Sequence, residues 1–319
     1  MINKKDKTTK IVFFGTSDRS LPILNSLKDN FNLFLCVTKS DTVVGRKKIT
    51  RETEVKKWGA ENNIEVITVD SLKGQDLEHL LETFAKHKPD IGVVADFSFM
   101  IPKSVIDAFN GNIINIHFSL LPKYRGASPV QHAIMNGDEF TGVTYYLLNE
   151  KMDEGDILSQ FEYKIDSEIT SGELYSILFK LSAEKLPQTI NNFLKGNITP
   201  VKQDYSKATY TISKTDPKHT FIRKEDALID WSESVEKIHR EIRAYNPWPI
   251  AWTYLEDLEK TDLLSEKIIL KSSINKKLKV KIYSSNIKDG KLNINQLQVE
   301  GKNKTDWVSF VNGYCEIER

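Results

Sequence analysis

Short apolar runs and amphipathic helical runs alternate through the first hundred residues, and this alternation constrains the fold more than any other feature. The apolar runs are KIVFFG, NLFLCVTK, IEVITVD and PDIGVVADF, and the segments between them are typical of helices. A strand followed by a helix, repeated several times, is typical of a parallel sheet covered by helices. The last run is apolar almost throughout, as expected of a strand buried on both faces. The sequence therefore predicts an α/β fold with an open, mostly parallel sheet.

The pattern changes twice further along the chain. A strand at GNIINIHFS, a helix at PVQHAIMNG, a strand at TGVTYYLLNE and a long helix ending near residue 196 come first. A polar stretch without a clear period follows, which is typical of a linker. Alternating runs at AWTYLE, EKIILKS, KKLKVKIYSS and GKLNINQLQVE then predict a small all-β domain, either a barrel or a sandwich. We predict a large domain over residues 1–202, a linker over 203–222 and a β domain over 223–319.

Charge and cysteine content exclude several classes of protein. Lysine and arginine number 45 against 44 aspartates and glutamates, so the overall charge does not require a nucleic acid or a membrane as partner. Basic residues are concentrated locally, in the loop GRKKITR at residues 45–51 and in residues 271–319. Cys36 and Cys315 are too few for a disulfide framework or an ordinary thiolate metal site. A reducing cytoplasm is the expected compartment, and no run reaches the roughly 18 apolar residues that a membrane helix needs.

The stretch NIHFSLLPKYRGASP places two polar side chains at the end of a predicted buried strand. Asn115 and His117 are two residues apart, so they share one face of the strand at its carboxyl end, where open α/β sheets bind their ligands. An isolated polar residue at a strand end is more often structural than catalytic. Here, however, an amide can donate to a developing oxyanion and an imidazole can move a proton near neutral pH. The pair is suited to acyl transfer to an amine.

A carboxylate that orients the imidazole or the nucleophile would complete such a site. The segment LLNEKMDEGDIL offers Glu150, Asp153, Glu154 and Asp156, and its composition alone leaves all four open. A dinucleotide site is not expected, since the turn after the first strand has one glycine, Gly15, where the fingerprint needs three.

The segment NIHFSLLPKYRGASPVQHAIMNGDEFTGVTYYLLNEKMDEGDIL resembles the signature of the folate-dependent formyltransferase family. KIVFFGTSD looks like the opening strand of that family. RKEDALIDWS and IHREIRAYNPWPIAWTYL resemble the start of the carboxyl-terminal domain in its tRNA-formylating members. The resemblance covers nearly the whole chain. It implies a Rossmann-like catalytic domain followed by a small OB-like β-barrel that binds tRNA.

The resemblance also assigns roles to individual residues. It implies a catalytic trio of Asn115, His117 and Asp153, and so makes the choice among the four acids. The implied folate contacts are Phe97, Phe99, Met100, Ile101, Ser119, Leu120, Leu121, Pro122, Leu148, Asn149 and Met152. The implied tRNA contacts are Arg46, Lys47, Lys48 and Arg51. The expected formyl donor is 10-formyltetrahydrofolate, the expected acceptor is an aminoacylated initiator tRNA, and a monomer without a metal is expected.

Three positions depart from the family pattern. The turn that usually reads Gly-Thr-Pro-Asp-Phe has Ser17 and Arg19 at its Pro and Phe positions, and Asp96 stands where a small or aromatic residue is common. Two rival hypotheses remain. A sugar-nucleotide N-formyltransferase would share the catalytic trio, and a binding module would keep the fold without the chemistry. The NPWP segment favours the tRNA enzyme over the first, and the presence of all three catalytic side chains favours an enzyme over the second.

Overall fold

A computed structural model describes residues 7–44 and 49–316. The chain forms two compact units. The first comprises Met1–Arg125, Gly142–Tyr163 and Tyr175–Thr209, and the second comprises Gly126–Thr141, Lys164–Leu174 and Tyr210–Arg319. The second unit thus includes two segments that precede residue 202, and the domain bounds predicted from the sequence remain a prediction.

The first unit is built on a seven-stranded sheet. The sheet has the order β5-β2-β1-β6-β7-β8-β9, and its strands are β1 Lys10–Phe14, β2 Asn32–Lys39, β5 Glu65–Val69, β6 Ile91–Val94, β7 Ile113–His117, β8 Phe140–Leu147 and β9 Ile157–Lys164. The pairs from β5 to β7 are parallel, and β7 pairs with β8 in the antiparallel sense. A short hairpin is formed by β3 Thr42–Val44 and β4 Ile49–Arg51.

Helices cover the parallel strands. They are α1 Leu21–Asn30, α2 Glu54–Asn62, α3 Gly74–His87 and α4 Lys103–Ala108, and most of the long α6 Ser171–Leu194 also belongs to this unit, whereas α5 Pro129–Met135 belongs to the second unit. Thr53 caps α2, since its hydroxyl accepts a hydrogen bond from the backbone N–H of Lys56. Phe14 lies in the core between sheet and helices, with the rings of Phe84 and Phe109 edge-on to it at about 6 Å.

The strand order places a candidate ligand site. From β1 the chain proceeds to β2 and β5 on one side, then returns to β6 and β7 on the other. The point where the order reverses lies between β1 and β6, and α/β sheets bind ligands in the crevice beyond the carboxyl ends of such strands. Asn115 and His117 end strand β7, the next strand along.

The second unit holds a four-stranded sheet with the order β10-β11-β12-β13, in which each strand is antiparallel to its neighbour. Its strands are β10 Ala251–Tyr254, β11 Lys279–Lys288, β12 Lys291–Val299 and β13 Thr305–Asp306. Helices α7 Val235–Ala244, α8 Leu255–Lys260 and α9 Trp307–Tyr314 also belong to this unit, together with α5. Short 3₁₀ turns lie at Asp18–Ser20, Tyr205–Lys207 and Glu225–Ala227. The core of the unit is formed by the inner face of the sheet and by helices such as α7, through buried residues including Ile238, Ile242 and Ile282.

The predicted fold class is confirmed, because a mostly parallel Rossmann-like sheet is followed by a smaller antiparallel β unit. One predicted strand is wrong. Within residues 7–44 and 49–316, EKIILKS makes no ladder, and Leu270 forms only an isolated bridge to Cys315. The sequence predicts an all-β domain here and does not predict helices α8 and α9. No helix among the described residues has the length and apolar character needed to span a membrane.

Candidate active site

Strand β7 presents Asn115 and His117 to the same face, as their spacing predicts. The antiparallel register sets Asn115 opposite Tyr146 and His117 opposite Thr144 on β8. The imidazole of His117 is buried, with 5% of the residue exposed, whereas Asn115 is half-buried. The two side chains therefore sit at the edge of the core, one enclosed and one partly open.

A short chain of hydrogen bonds links Asn115 to Asp153. The amide nitrogen Nδ2 of Asn115 donates to the hydroxyl of Tyr146 at 2.7 Å. The same hydroxyl donates to Oδ1 of Asp153, also at 2.7 Å. The other carboxylate oxygen, Oδ2, lies 3.7 Å from Nδ1 of His117. The structure thus brings the three predicted residues together, with a tyrosine between two of them.

The tautomer of His117 follows from its other contact. Its Nε2 lies 2.8 Å from the backbone carbonyl of Tyr124. Because a carbonyl can only accept, the neutral imidazole carries its proton on Nε2. The lone pair is then on Nδ1, the nitrogen that faces Asp153.

Tyr146 is a site residue that the sequence interpretation missed. Its side chain is buried, and burial together with the charge of Asp153 raises the pKa of the phenol well above its ordinary value. The spacing of residues within β7 predicts that Asn115 and His117 share a face. The partner across the sheet depends on the register between β7 and β8, which the sequence does not give.

The buried side chains of Gln203 and Arg125 support the acidic turn that contains Asp153. The side-chain amide of Gln203 donates to the backbone carbonyls of Asp153 and Gly155, both at 2.8 Å. Its carbonyl accepts from Nε and an Nη atom of Arg125, which is fully buried. Arg125 also pairs with Glu154 at 3.2 Å. Among the four acids left open by composition, Glu154 is therefore part of this support and Asp153 faces the imidazole.

Backbone conformation explains the glycine in this turn. Asp153 has a φ of +52°, in the left-handed region that Asp tolerates better than most residues. Two residues later, a Cβ on Gly155 would lie 1.7 Å from the carbonyl oxygen of Leu147. The turn can close onto β8 only with glycine at that position.

The predicted folate residues outside the Ser119 to Pro122 loop differ in exposure. Phe97 and Phe99 are half-buried and in edge-to-face contact at 5.5 Å, while Met100 and Met152 are exposed by 63% and 39%. Leu148 is half-buried, Ile101 is buried in the core and Asn149 is exposed. Accessible aromatic and thioether groups of this kind suit contact with one face of a flat heterocycle.

The loop Ser119 to Pro122 is more enclosed than its predicted role implies. The side chains of Ser119 and Leu121 are buried, whereas Leu120 and Pro122 are half-buried. Thr144 holds the loop by donating to the carbonyl of Ser119 at 2.6 Å and accepting from the N–H of Leu121 at 3.1 Å. The loop is a fixed wall, and Leu120 and Pro122 are its more accessible members.

Two of the departures from the family pattern contact each other. Arg19 donates to Asp96 at 2.7 Å, and its guanidinium stacks over the ring of Tyr175 at 4.3 Å. Ser17 accepts hydrogen bonds from the backbone N–H and from Nε of Arg19. The three positions form one connected group at the carboxyl ends of β1 and β6, so they alter this end of the crevice together.

The predicted tRNA contacts are only partly described. Arg46, Lys47 and Lys48 lie outside the described residues. Arg51 ends strand β4 and is exposed.

The second unit has a further surface whose chemistry suits nucleic acid. It consists of Trp252, Tyr254, Lys279, Lys281, Tyr283 and Lys304, and we call it the basic-aromatic face. On strands β10 and β11, Trp252 lies opposite Lys281 and Tyr254 opposite Lys279. The ammonium of Lys279 lies 4.4 Å from the ring centre of Trp252, and that of Lys304 lies 4.3 Å from the ring centre of Tyr283. Alternation along the strands directs the intervening Val280 and Ile282 into the core. The outer face therefore combines flat rings with cations.

Metal-binding side chains do not cluster in the described ranges, 7–44 and 49–316, where no group of three His, Cys, Asp or Glu is placed to hold an ion. Cys36 is buried, and burial raises the pKa of its thiol to about 12, so it is not a reactive thiolate.

Comparisons with known proteins show which family the chain resembles over nearly its whole length. The formyl transferase family model matches residues 9–190, and the model of the formyl transferase C-terminal domain matches residues 221–315. The methionyl-tRNA formyltransferase of Bacillus velezensis is 35% identical over 311 residues, which cover 96% of this chain and 95% of that protein.

Solved structures are similar in fold. The methionyl-tRNA formyltransferase from Clostridium thermocellum aligns with a TM-score of 0.58 and 18% identity, covering 91% of this chain and 98% of that one. A sugar 3N-formyl transferase crystallised with dTDP and 5-N-formyl-THF aligns with a TM-score of 0.57 and 22% identity, covering 92% and 99%.

Proposed function

Since the chain belongs to the formyl transferase family, we propose that it transfers the formyl group of 10-formyltetrahydrofolate to the α-amine of methionyl initiator tRNA. The observation that carries the acceptor is the near full-length similarity to a methionyl-tRNA formyltransferase. The observation that carries the chemistry is the grouping of three side chains, in which one hydroxyl joins Asn115 to Asp153 and the second carboxylate oxygen of Asp153 faces His117.

Asn115 is suited to stabilise the transition state. The unprotonated amine attacks the formyl carbon and forms a C–N bond, which leaves a tetrahedral centre with a negative oxygen. One N–H of the Asn115 amide is occupied by Tyr146, and the second N–H is available to that oxygen. A preorganised donor at a developing oxyanion typically contributes a factor of about a hundred to a thousand in rate.

His117 and Asp153 are suited to move the proton. Nδ1 of His117 takes the proton that the attacking amine loses, and Asp153 stabilises the imidazolium from 3.7 Å. The same proton is returned to N10 of the folate as the bond from the formyl carbon to N10 breaks. Throughout, the carbonyl of Tyr124 keeps the ring orientation fixed through Nε2.

The folate is proposed to lie against the exposed and half-buried members of its predicted set. Phe97, Phe99, Met100 and Met152 offer the apolar contacts, and Leu120 and Pro122 form part of the wall. Backbone groups near Leu148 and Asn149 are proposed to hydrogen-bond the pterin edge.

The tRNA is proposed to contact two basic regions. Arg46, Lys47, Lys48 and Arg51 belong to the loop proposed to approach the acceptor end. The basic-aromatic face of the second unit is proposed to contact the tRNA backbone, because cations bind phosphates and rings stack on bases or sugars. We also propose that the protein acts as a monomer.

The test is a choice of acceptor. The purified protein is incubated with 10-formyltetrahydrofolate and either methionylated initiator tRNA or an amino-sugar nucleotide, and the formylated product is quantified. Formylation of the tRNA is expected. Formylation of the sugar nucleotide alone would replace this function with that of a sugar N-formyltransferase, and formylation of neither would remove both.

A further inference from the structure

We propose that Tyr146 is a positioning residue for the formyl transfer, holding Asn115 and Asp153 in their productive orientations through one hydroxyl. The inference rests on the proposed function. It concerns a residue that does not need to touch either substrate, since its hydroxyl lies between two protein groups and its side chain is buried.

The hydroxyl of Tyr146 has one proton, and its position is determined. Burial and the neighbouring carboxylate keep the phenol protonated at any working pH. Because a carboxylate only accepts, the O–H donates to Oδ1 of Asp153 at 2.7 Å. The oxygen of the hydroxyl is then left as an acceptor for its other neighbour.

This acceptor fixes the Asn115 amide. A side-chain amide can turn by half a rotation and exchange its oxygen for its nitrogen at little cost. Beside an acceptor, only the orientation with Nδ2 toward Tyr146 forms a hydrogen bond. That orientation leaves the second N–H of the amide for the oxyanion. The reversed orientation would put the amide oxygen where Nδ2 now lies, so that a lone pair would replace an N–H donor. Tyr146 therefore selects the orientation that favours the reaction.

The same hydroxyl gives the two carboxylate oxygens of Asp153 different partners. Oδ1 is held by Tyr146, so Oδ2 is directed to Nδ1 of His117. The backbone of Asp153 is held separately by Gln203. Side chain and backbone of Asp153 are thus held by different groups, and loss of the Tyr146 hydroxyl removes a contact of the side chain while the backbone contact with Gln203 remains.

The experiment compares Tyr146→Phe with Tyr145→Phe. Tyr145 is the adjacent residue on β8 and faces the opposite side, where its buried hydroxyl donates to the carbonyl of Ser182 at 2.7 Å. Each substitution removes one oxygen from a buried, hydrogen-bonded tyrosine and keeps the ring. Tyr145→Phe therefore reports the effect of losing such a hydroxyl on folding alone.

For Tyr146→Phe we expect kcat to fall about ten- to a hundredfold, as misplacement of reacting groups does, with the KM of each substrate within about twofold of wild type. For Tyr145→Phe we expect kcat within about twofold. Thermal unfolding of both variants checks that they fold. Unchanged kcat in Tyr146→Phe, or an equal loss in both variants, would overturn the inference.

A double-mutant cycle tests whether Tyr146 acts through Asn115. In an Asn115→Ala background, Tyr146→Phe should lose the part of its effect that acts through the amide and keep the part that acts through Asp153, so the two substitutions should be less than additive. Full additivity would overturn the proposed route. If wild-type protein formylates methionyl-tRNA and Tyr146→Phe is fully active, the inference alone is wrong. If wild-type protein does not formylate methionyl-tRNA, the proposed function is wrong.

Discussion

Asn115 and His117 divide the chemistry at the scale of single residues. Asn115→Ala removes the free amide donor, and His117→Ala removes the proton acceptor at Nδ1. We expect each to lower kcat about a hundred- to a thousandfold. Neither residue is in the predicted folate contact set, so folate affinity measured by fluorescence titration should remain within a few-fold of wild type.

His87→Ala is a matched control for the histidine. Its ring stacks on Phe34 at the carboxyl end of helix α3, also in the first unit, and it has no place in the proposed reaction. Near-normal turnover is expected for this control. Near-normal turnover in His117→Ala would place the proton transfer on another group.

The sequence predicts those site residues that are close neighbours along the chain. Asn115 and His117 share a face because a strand repeats every two residues. Asp153 was chosen by family resemblance, since a turn of four acids gives no physical reason to prefer one. Tyr146 required the strand register, and the support from Arg125 depends on Gln203, 78 positions away. Residues brought together by tertiary packing have no local signature.

At the scale of elements, the outer side of β11 supports a prediction about tRNA binding. Lys279 and Lys281 are exposed on the basic-aromatic face. Among the described residues, neither ammonium group lies within ion-pair distance of a carboxylate. The double variant Lys279→Ala/Lys281→Ala should weaken tRNA binding several-fold in a filter-binding assay and raise its KM, because phosphate contacts are lost. Its folate affinity should not change.

Lys260→Ala is the matched control for this face. Lys260 ends helix α8 and pairs with Glu256 at 2.9 Å, so its charge is already compensated. Its removal should leave tRNA affinity nearly unchanged. Equal weakening by the control and by the double variant would mean that the effect is one of net charge and not of this face.

Asp226 supports a prediction about the segment before helix α7. The buried carboxylate accepts hydrogen bonds from Ser213, from Thr215 and from the backbone of Arg223. Burial alone would raise the pKa of Asp226, but these hydrogen bonds outweigh it and lower the pKa. Asp226→Asn replaces an acceptor that serves several donors, and should reduce the free energy of unfolding by about 1–3 kcal/mol near neutral pH.

The sign of the pH dependence follows from the lowered pKa of Asp226. The stability that the carboxylate adds is fully present above its unfolded pKa, about 3.9, and is lost as pH falls through the folded value. The difference between wild type and Asp226→Asn, measured by urea unfolding, should therefore be constant from about pH 5 to 8 and shrink below about pH 4. A difference that grows on acidification would contradict this role.

Periodicity predicted the ladder strands well and failed at EKIILKS for a physical reason. Ile268 and Leu270 are buried while Ile269 between them is 41% exposed, so the segment alternates as a strand does. Alternation reports which side chains face the core, whereas a strand also needs a neighbour with which to share hydrogen bonds. Among the residues that the structure describes, Leu270 forms a single bridge to Cys315 and no ladder, which alternation alone could not predict.

At the scale of the whole molecule, the near balance of charges shapes how tRNA can be bound. The formal net charge is +1, so net charge contributes little to attracting a polyanion, and binding depends on local basic regions and their contacts with phosphates. Each phosphate neutralised by a lysine or arginine releases counterions, so the logarithm of the binding constant falls with the logarithm of salt concentration. Binding of the folate, by contrast, is proposed to depend mainly on apolar contacts.

The two substrates should therefore respond differently to salt in the same protein. Between about 50 and 200 mM salt we expect tRNA affinity to fall by at least tenfold, and folate affinity by less than about twofold. Filter binding for the tRNA and fluorescence titration for the folate measure the two slopes. Because each lost phosphate contact reduces the slope by about one, Lys279→Ala/Lys281→Ala should flatten the tRNA line and leave the folate line unchanged. A tRNA affinity that does not depend on salt would mean that neither basic region contacts the phosphates.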